Sequence, residues 1–91
     1  MTCTVRVPAP LRSYSGGLES VELSGTTLRE VLMDMAERNA ALYGRVCDAR
    51  GEILSHVNIY LNEVDVRSLG GLDARVDAGD EILLVPAIAG G

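Results

Sequence analysis

The residues whose types best suit chemistry are the last two, Gly90 and Gly91, reached through Pro86-Ala87-Ile88-Ala89. Neither glycine carries a Cβ, so atoms of another protein can close on the final carboxylate from every side, and glycine accepts whatever backbone angles a narrow channel imposes. Ordinary domain ends fray and tend to be polar, and with glycine near 7% of average usage a Gly-Gly end arises by chance in about 0.5% of chains. The reactive group of this tail is the Gly91 carboxylate. Chemistry on that carboxylate is expected, with Ala87, Ile88, Ala89 and Gly90 threading into the sites that perform it.

Other reactive side chains are few. His56 is the single histidine and opens a strand without an acidic or cysteine neighbour close in sequence, so it is assigned no catalytic role. Cys3 and Cys47 fit neither a metal nor a redox spacing and are expected to be reduced and buried. Asp73, Asp77, Asp80 and Glu81 show no ligand spacing, and no metal site is assigned to them. They are expected to form a solvated acidic edge that steers the chain toward a basic partner. All eight basic residues are arginine, which leaves no lysine for a Schiff base, a P-loop or isopeptide-linked copies of the chain. With no nucleophile and base pair, metal motif or cofactor loop, the chain is expected not to be an enzyme and to bind no cofactor.

Composition narrows the partners. Ninety-one residues suit one small domain with a single core, and the 47% hydrophobic content is aliphatic, with three Tyr and neither Phe nor Trp. A net charge of −5 argues against binding a phosphate backbone, so no nucleic acid is expected. No apolar run approaches the ~20 residues of a membrane span, and the start, Met1-Thr2-Cys3-Thr4-Val5-Arg6, lacks a signal-peptide stretch. A cytoplasmic protein without membrane contact is expected.

The elements that must position the tail follow from periodicity. Thr4-Val5-Arg6-Val7 alternates before Pro8 and Pro10 stop it, and Glu19 to Leu23 alternates again after the turn Tyr14-Ser15-Gly16-Gly17, which predicts an antiparallel hairpin. Thr27-Leu28-Arg29-Glu30 is a capping-box signature. Leu28, Val31, Leu32 and Met35 then form one apolar helical stripe ending near Asn39, with Asp34 and Arg38 paired on the wet side. Ala41-Leu42-Tyr43 suggests a further helical turn, and Asp48 to Gly51 a loop. Val57 to Leu61 reads as a strand with Val57, Ile59 and Leu61 inward, Asn62-Glu63 as a turn, and Val64 to Arg67 as a short strand. The turn Asp77 to Asp80 introduces a last strand, Ile82 to Val85, whose regular pairing Pro86 should end. The order predicts an α+β domain, a mixed sheet of four to five strands with one main helix across one face. It divides into a folded unit over residues 1–86 and an extended flexible tail over 87–91. If Ile82 and Leu84 enter the core, Leu83 and Val85 point outward and, with Tyr60, form an apolar docking patch leading to the tail.

Four runs in this order, His56-Val57-Asn58-Ile59-Tyr60-Leu61-Asn62, Asp65-Val66-Arg67, Asp77-x-Gly79-Asp80-x-Ile82 and Pro86-Ala87-x-Ala89-Gly90-Gly91, resemble the ubiquitin-like sulfur carriers of bacteria. That family includes the small subunit of molybdopterin synthase and the thiamine-pathway sulfur carrier. The Asn-Ile-Tyr-Leu-Asn strand, Val66-Arg67 and Gly70-Gly71-Leu72 look closest to the carriers that feed an O-phosphoserine-dependent cysteine synthase. The resemblance covers most of the chain and implies a β-grasp fold. It also implies a cycle run by other proteins, in which an adenylating, E1-like activating enzyme joins the Gly91 carboxylate to AMP at the expense of ATP. A sulfur donor displaces AMP, and the resulting thiocarboxylate gives its sulfur to an acceptor. The implied partners are that enzyme, a sulfur-accepting synthase such as a pyridoxal-phosphate-dependent cysteine synthase, and a metal-dependent peptidase that releases product. Three readings stand at this point. They are a sulfur carrier, for cysteine or for molybdopterin, thiamine, a thiolated metabolite or tRNA; a modifier joined through Gly91 to lysines of other proteins; and a plain interaction module of β-grasp type.

Overall fold

The computed structural model describes residues 2–86, and the tail segment 87–91 lies outside the described residues. Two crossing layers form the domain. One is a five-stranded sheet of β1 (Cys3–Arg6), β2 (Ser20–Leu23), β3 (Val57–Leu61), β4 (Val64–Asp65) and β5 (Glu81–Pro86), in the order β2-β1-β5-β3-β4. The other is α1 (Leu28–Arg38), followed by the single turn α2 (Ala40–Tyr43). This is the expected mixed sheet with one main helix. β1 pairs antiparallel with β2 and parallel with β5, while β5 pairs antiparallel with β3. The last strand therefore lies in the middle of the sheet.

Local chemistry accounts for α1. Thr27 has an extended backbone, and its Oγ1 accepts from the amide of Glu30 at 3.2 Å, satisfying one of the four donors that a helix start leaves open. The reciprocal half of the box is displaced by one residue, since Glu30 Oε1 accepts from the amide and hydroxyl of Thr26 at 2.7 and 2.9 Å. Leu28, Val31, Leu32 and Met35 are buried, and Arg38 Nε reaches Asp34 at 2.9 Å. Where β2 hands over to the helix, a Cβ on Gly25 would lie 2.7 Å from the Val31 nitrogen, so the close approach needs glycine.

The core joins this stripe to Val5, Leu23, Val57, Ile59, Leu61, Ile82 and Leu84 from the sheet and to Val7 just after β1. Both cysteines lie within it, Cys3 and Cys47 being 2% and 3% exposed. Asn62 and Glu63 both have positive φ, 48° and 72°, as a two-residue type I′ turn between β3 and β4 requires. The segment before β5 is tied to the start of α1 by backbone bonds from Leu28 to Ala74 and from Val76 to Thr26, at 2.9 and 3.0 Å.

Three expectations need correction. Residues Ala9–Ser15 are a 3-10 helix that buries Leu11 and Ser15, so the turn expected over Tyr14 to Gly17 begins only after Ser15. Pro10 sits in its first turn, where no intrahelical amide is needed. The short strand expected over Val64 to Arg67 stops at Asp65, because the Asp65 carboxylate accepts from the Arg67 amide at 2.9 Å and caps a 3-10 turn over Val66–Leu69. Pro86 does not end the pairing before it. It is the last residue of β5, opposite Val57. The Asn62 amide bonds the Glu81 carbonyl, and the alternation of antiparallel pairs from that bond makes Val57↔Pro86 a non-hydrogen-bonded pair. The missing amide of Pro86 thus faces the β1 side, where pairing has already ended at Leu83 opposite Arg6.

Candidate functional site

The candidate site is the outward face of the sheet where β5 carries the chain toward residues 87–91. Alternation decides which side chains reach that face: Ile82 and Leu84 are 1% and 0% exposed on the helix side, and Leu83 is 41% exposed on the other. Tyr60 and Val85 are half-buried there. The register brings the residues together. Leu83 lies opposite Tyr60 on β3 and Arg6 on β1, Tyr60 lies opposite Asp65 on β4, and Val85 lies opposite Asn58. Paired residues share a face, so one row runs Arg6, Leu83, Tyr60, Asp65 across four strands.

Charge flanks the apolar centre of that row. Arg6 Nε donates to Glu81 Oε2 at 3.2 Å on one side, and Arg67 donates to Asp65 Oδ2 at 2.7 Å on the other. Hydrogen bonds from the Arg67 side chain and then from its amide hold the Asp65 carboxyl below the usual range, and Asp65 in turn raises Arg67. Sequence reasoning placed Tyr60, Leu83 and Val85 here but missed Arg6 and Asn58. Alternation turns both outward, whereas the parallel β1 to β5 pairing that sets Arg6 beside Leu83 has no local signal.

The other sequence candidates lie elsewhere. His56 is exposed just before β3. Burial pushes the Cys47 thiol up to about 11 and raises that of Cys3 as well, which leaves both protonated at neutral pH. Asp73, Asp77 and Glu81 are exposed and Asp80 is half-buried, as a solvated acidic edge requires, and three of the four carboxylates also have partners within the chain. Asp73 meets Arg29 at 3.3 Å, Glu81 meets Arg6, and Asp80 accepts from the Asp77 amide at 2.8 Å and from Asn62 Nδ2 at 3.0 Å. Among the described residues no group of three or more His, Cys, Asp or Glu could hold a metal ion. No helix among them is long and apolar enough to cross a membrane. The tail residues Ala87, Ile88, Ala89, Gly90 and Gly91 fall outside the described residues.

A mixed five-stranded sheet crossed by one helix, with the last strand central, is the β-grasp fold of ubiquitin-like proteins. The chain belongs to the ThiS family, whose model matches residues 5–91. It is 40% identical over 93 residues to the sulfur carrier protein CysO of Mycobacterium tuberculosis, covering 100% of both chains. The crystal structure of that CysO superposes with a TM-score of 0.85 at 38% identity, over 94% of this chain and 99% of the other. A chain of the crystal structure of the Amycolatopsis orientalis BexX/CysO complex superposes with a TM-score of 0.88 at 39% identity, over 98% and 99%. Small archaeal modifier protein 3 of Haloferax volcanii is 34% identical over 65 residues, 71% of this chain and 70% of that one. CysO is by name a sulfur carrier protein, and the Amycolatopsis structure is by name a complex of CysO with BexX.

Proposed function

We propose that this chain is a sulfur carrier whose Gly91 carboxylate is adenylated and converted to a thiocarboxylate, which donates sulfur in biosynthesis, foremost of cysteine. The observation that carries this reading is the 40% identity to CysO across the whole of both chains, with the family match running through residue 91. The chemistry is consistent with the residues. A carboxylate is a poor electrophile because its charge is delocalised, and the mixed anhydride with AMP gives it a leaving group. A sulfur nucleophile that displaces AMP leaves a soft, exposed thiocarboxylate on a protein handle. The protonated, buried thiols of Cys3 and Cys47 offer no competing sulfur relay.

In this reading an E1-like activating enzyme spends ATP, a sulfur-accepting synthase of the pyridoxal-phosphate-dependent cysteine synthase type takes the sulfur, and a metal-dependent peptidase releases the product. The row around Leu83, with Tyr60 and Val85, receives the activating enzyme while Ala87 to Gly90 thread Gly91 into its site. The similarity to small archaeal modifier protein 3 favours a second reading, conjugation through Gly91 to protein lysines, which uses the same activated carboxylate. Intact mass spectrometry separates the two. With activating enzyme, ATP and a sulfur source, the chain should gain the mass difference between sulfur and oxygen, and deletion of Gly91 should abolish the gain without moving the unfolding midpoint. Lysine adducts without a thiocarboxylate would favour the modifier, and an unchanged mass would remove both readings.

A further inference from the structure

An activated acyl end is open to any good nucleophile it meets, and at working concentrations the nearest surface is often another copy of the same carrier. The groups able to capture it are neutral amines and thiolates. No side-chain amine exists in this sequence, because all eight basic residues are arginine, whose guanidinium stays protonated. Both thiols are closed off by packing. Cys3 and Cys47 are 2% and 3% exposed within the core cluster, and Cys3 Sγ donates to the Leu23 carbonyl at 3.5 Å. Exposed hydroxyls are weak nucleophiles without an adjacent base, and an acyl group passed to the exposed His56 ring would be hydrolysed.

We propose that the side chains of residues 2–86 offer no acceptor for copy-to-copy acyl capture, so that an activated Gly91 carboxyl passes to side chains only of a partner of another kind. The proposal rests on the reading that Gly91 is activated. Side-chain branching between copies is prevented by chain composition and packing rather than by enclosure within the activating enzyme, and the terminal α-amine stands apart from this block. The excluded step is simple. A neutral lysine amine on one copy would attack the carbonyl of a second copy's acyl adenylate, a C–N bond would form, the C–O bond to AMP would break, and AMP would leave with the bonding pair while the amine lost a proton to water. An exposed thiolate would give a thioester and AMP by the same route.

The test supplies the activated end chemically, so it does not depend on any enzyme. The full chain carrying a C-terminal thioester, made by intein cleavage, is incubated at pH 8.5, where about 1% of lysine amines are neutral. The parent is compared with Arg29→Lys, Arg50→Lys and Ala49→Cys. Arg29 and Arg50 have side chains 57% and 81% exposed, and a lysine can keep their pairing with Asp73 and Asp48. Ala49 is exposed in the loop beside Arg50. Two-copy conjugates mapped to the introduced residue should exceed those at any parent side chain by at least tenfold. The cysteine-linked product should be cleaved by hydroxylamine and the lysine-linked ones should resist it. Parent conjugates at a side chain of residues 2–86, or no conjugate in any of the three variants, would overturn the proposal. Pyrophosphate exchange with the activating enzyme and ATP reports separately on whether Gly91 is activated, and its failure would leave the thioester result standing.

Discussion

Leu83 and Leu84 are neighbours in sequence with opposite surroundings, and truncating each to alanine tests the face assignment on which the candidate site depends. Leu84 is fully buried, lies opposite Ile59 in register, and sits in a central strand flanked by β1 and β3, so its site has little room to collapse. Leu84→Ala should cost about 2 to 5 kcal/mol, a large share of the roughly 5 to 15 kcal/mol available to such a domain. At an m-value of about 1 to 3 kcal/mol/M, the urea midpoint should fall by about 0.7 to 5 M. Leu83 is 41% exposed on the outward face, and Leu83→Ala should cost under about 1 kcal/mol. Equilibrium urea unfolding, followed by far-UV circular dichroism at fixed m, gives both values. Equal losses for the two variants, or a loss below about 1 kcal/mol for Leu84→Ala, would refute the alternation and with it the docking face.

Leu83→Asp should leave the urea midpoint near that of the parent yet weaken binding to the activating enzyme by about tenfold or more, read by titration calorimetry; unchanged affinity would move the docking surface elsewhere. The Asp34 carboxyl is held below its usual value first by the Ser24 amide and then by the Arg38 guanidinium. A depressed folded-state value adds stability above the ordinary carboxylate range, near pH 4, and loses it as pH falls through the folded value. The stability difference between the parent and Asp34→Asn should therefore shrink in urea melts between about pH 5 and pH 2, and a constant difference would show that ionisation is irrelevant there. Cys3 and Cys47 should resist a thiol reagent at pH 8 in the native protein and react fully in urea; rapid native labelling would place a thiol at the surface.

Much of this architecture was legible because its signals are local. The Thr27 cap, the stripe from Leu28 to Met35 and the Asp34 to Arg38 pair all fall within one helix, and each lies where the spacing put it. The outward turn of Leu83 followed from a period of two. What local pattern hid was of two kinds. Pro8 and Pro10 were correct as the end of β1 yet concealed a 3-10 helix, because proline also suits a first helical turn. Val66 and Arg67 looked like strand, but Asp65 accepts from the Arg67 amide and curls the chain away after one further pair. The neighbour relation of β1 and β5 joins residues from opposite ends of the sequence, and the cost and gain of such pairing reside in distant contacts that no window contains. For the same reason Arg6 and Asn58 entered the candidate site only with the register.

The two hairpins of the described sheet, β2-β1 and β3-β4, meet only through β5. A partner that grips residues 87–91 and draws on them therefore pulls on the strand that holds both hairpins together. The direction of that pull matters. Traction on Pro86 runs along β5, and the strand is held on one side by pairs from Thr4 to Arg6 and on the other by pairs from Val57 to Leu61. The load is shared across both ladders in shear, where many bonds must yield together, instead of peeling an edge strand open one bond at a time. A body loaded in this way resists traction on its last described strand without being peeled open.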